Sequence, residues 1–201
     1  MLQDSLFPPL LVSTVCGLAL ILAPALTRAA DTASSINKYA ITIFGGKLST
    51  QDWENSLRVG DLSGSNLVAG ALGWTFARTD DRSASFELEG ETVKHFGKQY
   101  NWEINLLVAG RWHRFPWSDR VGTSLAFGIG PSYATELPKY EVELNGTSEQ
   151  LLVGWFLEVT LGPPKGNLAL SLRLHHRSTG FGLLGEDGGY NALTAGIRYQ
   201  F

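Results

Sequence analysis

The sequence predicts an all-β fold: an eight-stranded antiparallel up-and-down β-barrel that crosses a membrane, with its lumen filled by side chains. Three observations carry this. Apolar residues recur with period two in eight separate segments, the spacing of strands with two unlike faces. After residue 29 no apolar run reaches the roughly 20 residues that a spanning helix needs. The apolar face of these segments is nearly unbroken, while the other face carries small and charged residues. A water-soluble core would have to enclose Glu87, Glu89, Glu103, Arg111, Glu158, Arg173 and Arg198, and burying so many charges is costly. A membrane barrel inverts the assignment: the apolar face meets lipid and the charged face fills the lumen.

The elements follow in order along 201 residues, a length suited to one domain. Residues 1–29 are expected to be a cleaved signal peptide. The run "LLVSTVCGLALILAPAL" is apolar and broken by Pro24, and small-residue cleavage sites follow at Ala23-Pro24-Ala25 and Thr27-Arg28-Ala29. The start "MLQDSLF" departs from the usual pattern, with Asp4 and no Lys or Arg. Cys16, the one cysteine, lies in this segment. Residues 30–201 would then form the barrel with neither a disulfide framework nor a cysteine metal site. Cleavage after Ala29 removes Arg28 and Asp4 together and leaves the net charge at −3. The absence of a basic bias argues against nucleic acid as a partner.

Tyr39, Ile41 and Ile43 make the first alternating segment. Val68, Leu72, Trp74 and Phe76 make the second, with Ala69, Ala71 and Gly73 between them. In the third, Ala84, Phe86 and Leu88 alternate with Glu87 and Glu89. In the fourth, Trp102, Ile104, Leu106, Val108 and Trp112 alternate with Glu103, Asn105 and Arg111. Val121, Leu125, Phe127 and Ile129 mark the fifth, and Leu151, Val153, Trp155, Leu157, Val159 and Leu161 the sixth. Leu168, Leu170, Leu172 and Leu174 mark the seventh, and Leu193, Ala195, Ile197, Tyr199 and Phe201 the eighth. No convincing helix is read between them. Trp102 and Trp112 share a face ten residues apart. At about 3.3 Å per residue and a tilt of about 40° they span roughly 25 Å vertically, the height of a lipid-facing band between aromatic girdles. Eight strands leave a lumen just wide enough for side chains, so a plugged interior of paired Glu and Arg is expected.

The connections set the orientation. The turns "TDDR", "FPWSD" and "GPPKG" alternate with "KLSTQDWENSLRVGDLSGS", "FGKQ", "TELPKYEVELNGT" and "TGFGLLGEDGGY". Membrane barrels of bacterial outer membranes carry short periplasmic turns and longer external loops. "FGKQ" is short for an external loop, but the rule puts both termini in the periplasm and makes the seventh strand run outward.

That strand ends in "LRLHHRSTG". Continuing the leucine alternation brings His176 and Ser178 onto the lipid-facing side, at the outer end. Side chains two apart on a strand project the same way, so the imidazole can act as general base on the serine hydroxyl and make it a nucleophile. At the depth of a lipopolysaccharide leaflet such a pair would meet the ester-linked acyl chains of lipid A. The backbone amides of Thr179 and Gly180 are adjacent candidates for an oxyanion hole, and Gly180 tolerates the conformations such a turn needs. His175 faces the lumen by parity beside Arg173 and Arg177, His113 joins the lumenal polar face, and His95 lies near the end of the third strand. Histidines so scattered are not expected to build a metal site. No Gly-x-Ser-x-Gly elbow is present, which disfavours a soluble lipase fold.

Four stretches, "FELEGETVKHFG", "NWEINLLVAGRWHRFPW", "GIGPSYAT" and "LHHRSTGFGLLGEDGGYNALTAGIRYQF", resemble the lipid A 3-O-deacylase (PagL-like) family of outer-membrane barrels. The His-x-Ser followed by a glycine-rich loop and a terminal aromatic strand is the most specific part. The resemblance implies an eight-stranded barrel with a Ser-His-Glu triad on its outer wall, removing the acyl chain at the 3 position of lipid A without metal or cofactor. Carried over by position, Ser178 matches the nucleophile and His176 the base. The position of the family carboxylate, at the start of the last strand, is Asn191. An amide oxygen can orient the imidazole but offers no negative charge; in serine proteases an Asp-to-Asn change lowers turnover by about 10⁴. Glu186 or Asp187 in the preceding loop could substitute. The terminal Phe201 resembles the assembly signal of such barrels, implying the outer-membrane assembly machinery as a partner. The expected function is therefore an outer-membrane hydrolase acting on lipid A from the outer-leaflet side. The alternatives are a catalytically silent structural or adhesive barrel and a transport barrel, and a homodimer through the barrel wall is compatible with the sequence.

Overall fold

The computed structural model describes residues 37–49 and 62–201. The expected signal peptide, Cys16 and most of the first connection lie outside the described residues. The strands are β1 (Tyr39–Ser49), β2 (Leu62–Arg78), β3 (Ala84–Phe96), β4 (Trp102–Trp112), β5 (Gly122–Ala134), β6 (Leu151–Gly162), β7 (Leu168–Ser178) and β8 (Gly189–Gln200). Each pairs antiparallel with the next, and β8 pairs with β1 to close the barrel.

One expectation is corrected. The connection "TELPKYEVELNGT" contains a helix, α1 (Lys139–Asn145). Pro138 precedes it in an extended conformation, and Gly146, at φ 81°, ends it by donating its N–H to Val142 O at 2.9 Å. At seven residues it is too short to display a helical hydrophobic period over the window that such a signal needs.

The walls are inside-out relative to a soluble protein. In β4 burial alternates without a break from Trp102 to Trp112. The outward Ile104 is 53 % exposed and Ile43 62 %, while the inward Glu89, Glu103 and Glu158 are wholly buried. Hydrocarbon is the solvent that suits such a wall. Aromatic residues bracket the apolar band. Trp74, Phe76 and Phe86 lie ring to ring at 6.0 and 6.5 Å near one rim. At the other rim Lys94 Nζ lies 5.0 Å from the Trp102 ring and donates to Tyr100 O at 2.6 Å, carrying its charge to the interface over an apolar stem.

The lumen is held by ion pairs that cross it. Arg173 donates to Glu89 Oε1 at 2.8 Å, Glu91 Oε2 at 2.7 Å and Glu158 Oε2 at 2.8 Å. Its guanidinium lies over the Phe156 ring at 3.9 Å. Arg111 joins Glu87 and Glu158 at 3.1 and 2.7 Å, and Arg198 joins Glu87 at 2.8 Å. A carboxylate left alone here would keep its full desolvation penalty. Arg173→Met should therefore lower stability by about 3–5 kcal/mol, the usual effect of breaking a buried pair from one side. Urea unfolding, followed by the loss of the compact band in unheated electrophoresis, measures it.

His113 lies just beyond β4, with Nε2 2.8 Å from Ser85 Oγ. Burial first, and then the charge of Arg111, push its pKa from the ordinary 6.5 down to about 4. The unfolded ring takes its proton near 6.5, so the stability held by the neutral ring is complete above that pH and is lost as pH falls towards 4. The ring resonances of His113 in micelles should titrate near pH 4, while an exposed histidine would titrate near 6.5.

Candidate active site

Three neighbouring strands build the site, and their registers decide which side chains meet. Trp155 on β6 pairs with His176 on β7, which pairs with Asn191 on β8. One row outward, Val153 pairs with Ser178 and Ser178 with Gly189. By strand parity these side chains share the outer face with Leu170, Leu172 and Ile197, which are exposed.

Within the first row, His176 Nδ1 lies 2.6 Å from Asn191 Oδ1. With the amide oxygen assigned as acceptor, Nδ1 carries the ring proton and Nε2 presents a lone pair. The Trp155 ring lies against the imidazole, centroids 4.4 Å apart at an interplanar angle of 32°. The imidazole is thus held from one side by a hydrogen bond and on its face by an indole. Ser178 lies two residues on, on the same face. The N–H of Gly180 points to Ser178 Oγ at 3.4 Å. Gly180 has φ 65°, a conformation that favours glycine. The oxygen atoms of Thr179 are used within the loop: its backbone O accepts from Leu184 N at 2.9 Å, and its Oγ1 accepts from Gly182 N at 3.3 Å. The loop carboxylates lie elsewhere: Glu186 is exposed, and Asp187 Oδ1 accepts the Gly188 N–H at 2.8 Å.

The inward residue between the pair is Arg177. It donates to both oxygens of Glu141 on α1, at 2.7 and 2.5 Å, and to the carbonyls of Glu149 and Gln150 at 2.8 and 2.6 Å. Glu141 also accepts the Gly189 N–H at 3.1 Å, and Asn145 donates to Gly189 O at 2.9 Å. Gly189 has φ 104°, and a Cβ there would lie 1.8 Å from Arg177 O. The strand partner of Ser178 must therefore be glycine, and α1 grips it by both backbone groups. Ser148 Oγ adds a third donor to Glu141 at 2.6 Å.

His175 faces the lumen. Its Nε2 lies 3.1 Å from Glu103 Oε1 and its Nδ1 3.3 Å from Glu91 Oε1. The histidines are less scattered than the sequence suggests: His95 also reaches Glu103, at 3.2 Å, where Tyr190 donates at 2.8 Å. Among the described residues, Glu91, Glu103 and His175 bring ligand atoms within 4.8 Å of one another. Arg173, Asn105 and Tyr190 already bond to these carboxylates, and the sheet separates the group from His176.

Sequence reasoning missed Trp155 and Glu141 as parts of the site. Trp155 was legible in principle. Leu161 pairs with Leu170 across the "GPPKG" turn, and counting along both strands from there reaches Trp155 and His176. Glu141 had no such signal, because it arrives from a loop. Glu141→Ala would leave the buried Arg177 without its carboxylate and Gly189 N–H without its acceptor. Amide exchange at Gly189 and Tyr190 should rise about tenfold or more, as expected for losing a charge-assisted hydrogen bond of about 1.5–3 kcal/mol, while the barrel stays folded in hydrogen-exchange mass spectrometry.

No protein-family model matches the sequence, and no curated protein matches it. Among solved structures, the outer membrane enzyme PagL is similar to this chain at a TM-score of 0.59 and 9 % identity, covering 81 % of this chain and 99 % of that one. Neisserial surface protein A (NspA) follows at 0.48 and 11 %, covering 81 % and 96 %. LpxR from Salmonella typhimurium follows at 0.35 and 12 %, covering 70 % and 54 %. At 9 % identity, what this chain shares with the first of these is the fold: a closed eight-stranded antiparallel barrel.

Proposed function

We propose that this chain is an outer-membrane serine esterase that removes an ester-linked acyl chain, the one at the 3 position, from lipid A. The observation that carries the reading is the 2.6 Å contact between His176 Nδ1 and Asn191 Oδ1, beside a serine on the same outward face. It leaves Nε2 as the basic nitrogen, which is what a general base for Ser178 requires. The fold shared with an outer membrane enzyme adds to the reading, as does the sequence resemblance to lipid A 3-O-deacylases. The site lies on an apolar wall rather than in a cleft, which suits a substrate delivered by the bilayer.

In this mechanism Ser178 Oγ attacks the ester carbonyl as Nε2 takes its proton. The Gly180 N–H, with Thr179 as the second candidate, stabilises the oxyanion. The imidazolium returns the proton to the departing sugar hydroxyl. Water then hydrolyses the acyl-serine by the same route in reverse. Trp155 and Asn191 hold the ring throughout. No step calls on a metal or a cofactor. The partners are lipid A and the outer membrane, with Phe201 presented to the assembly machinery.

Wild-type protein in detergent with lipid A should release a free hydroxy fatty acid, and Ser178→Ala should abolish that release while keeping the folded barrel. Identical lipid A mass spectra for the two would overturn the reading. The neutral Asn191 favours a second reading, a barrel whose triad has decayed to silence. Asn191→Asp keeps the side-chain shape and adds the missing charge. Turnover that appears in Asn191→Asp while wild type stays at the no-enzyme background, a gap of up to about 10⁴-fold as for the reverse change in serine proteases, would establish the decayed triad. Measurable wild-type turnover with a smaller gain supports the esterase.

A further inference from the structure

The loop from β7 to β8 carries the most exposed apolar side chains among the described residues. Phe181 is fully exposed and Leu183 is 77 % exposed, against 53 % for an outward wall residue such as Leu106. Phe181 also has φ 62°, a left-handed backbone that a bulky aromatic residue rarely adopts. This conformation is locked from below. Leu184 N donates to Thr179 O at 2.9 Å, Leu183 N to Gly180 O at 3.4 Å and Gly182 N to Thr179 Oγ1 at 3.3 Å. The knob so formed rests on the outside of the wall. A Cβ on Gly180 would lie 2.6 Å from Val153 Cγ2, and Val153 is the outward-facing partner of Ser178 on β6. Gly180 thus sets the base of the loop against the outward apolar face at Val153, and Phe181 and Leu183 follow it in sequence, beginning three residues past the serine.

We propose that Phe181 and Leu183 form a lipid-inserted knob that packs among the acyl chains of the leaflet surrounding the substrate. The loop's hydrogen bonds hold Phe181 and Leu183 in a conformation that leaves both apolar side chains exposed. In lipid the same geometry buries both side chains in an environment where their transfer is favourable, and continuity with the lipid-facing wall selects acyl chains as the occupant. The effect on turnover rests on the esterase reading; insertion does not. Within that reading both are positioning residues: they hold the lipid layer against the wall so that an ester group reaches Ser178.

Two measurements test the knob. The first uses Phe181→Cys in a Cys16→Ser background, labelled with an environment-sensitive fluorophore, in vesicles of phospholipid with brominated acyl chains. Label at position 181 should shift to the blue and be quenched, whereas label on Asp80→Cys, in the turn between β2 and β3, should not. A label at 181 as wet and unquenched as that at 80 overturns the proposal, and this is also the result expected if the knob binds another protein. The second uses the double variant Phe181→Ser with Leu183→Ser. The lipid A surface fraction giving half-maximal rate should rise about tenfold, the factor expected from losing part of two buried apolar side chains. kcat and the hydrolysis of a soluble short-chain ester should stay unchanged. An equal loss on both substrates would make the knob part of the catalytic scaffold and overturn the proposal. If wild type releases no acyl chain at all, the esterase reading falls and the quenching alone decides the knob.

Discussion

The pairing of Arg173 with Glu89, Glu91 and Glu158 inside the barrel is the constraint on which the rest depends. A wall that shows isoleucine and leucine outward must send its polar residues inward, and an eight-stranded lumen is filled by those side chains. Each inward charge then needs a partner from another strand. Glu89 and Glu91 come from β3, Glu158 from β6 and Arg173 from β7. These contacts reach across the barrel and fix its strands relative to one another, in a way that backbone ladders between neighbours do not. Satisfying a buried ion also demands tight geometry, so the interior specifies one arrangement of the wall.

The candidate site inherits that rigidity. His176 and Ser178 alternate along β7 with His175 and Arg177, and both of the latter are engaged on the inside. The outward pair cannot shift along the strand without disturbing Glu103 or Glu141. α1 extends the same logic to the rim. It sends Glu141 down to Arg177 and Gly189, while Lys98, from the connection between β3 and β4, bonds Glu143 on its far side at 2.9 Å. Tyr140 joins an apolar cluster with Phe44, Leu48, Val93 and Tyr190, so the helix is seated as well as tethered. Preorganisation here comes from the lumen and the cap, since a lipid-facing wall has no cleft to supply it.

Most of the architecture was legible in the sequence because it is periodic. Alternation marks the strands, and parity alone sorts Glu103 inward and Ile104 outward. The same parity brought His176 and Ser178 onto one face. What parity does not report is anything that arrives from a loop or depends on register. α1 escaped because seven residues show no repeat. Glu141 escaped with it. Trp155 against His176 needed the offset between β6 and β7, which the alternation of either strand alone does not contain. The meeting of His95 and His175 at Glu103 likewise depends on how β3, β4 and β7 are disposed around a closed cylinder. Asn191 was found by resemblance to a family rather than by physics, and its contact with His176 follows from the pairing of β7 with β8.

The strict division of β7 into two faces also limits how this strand can change. Inserting or deleting one residue between Leu168 and His175, with a slip of register, would turn everything beyond it to the other face, sending the His176 imidazole into the interior and the Arg177 guanidinium out into hydrocarbon. Both halves of the molecule would fail together, the ionic interior and the exterior pair. A single added residue would leave the two faces in place only if it were absorbed locally as a bulge, as the pairing of β2 with β3 absorbs one between Thr75 and Ala77.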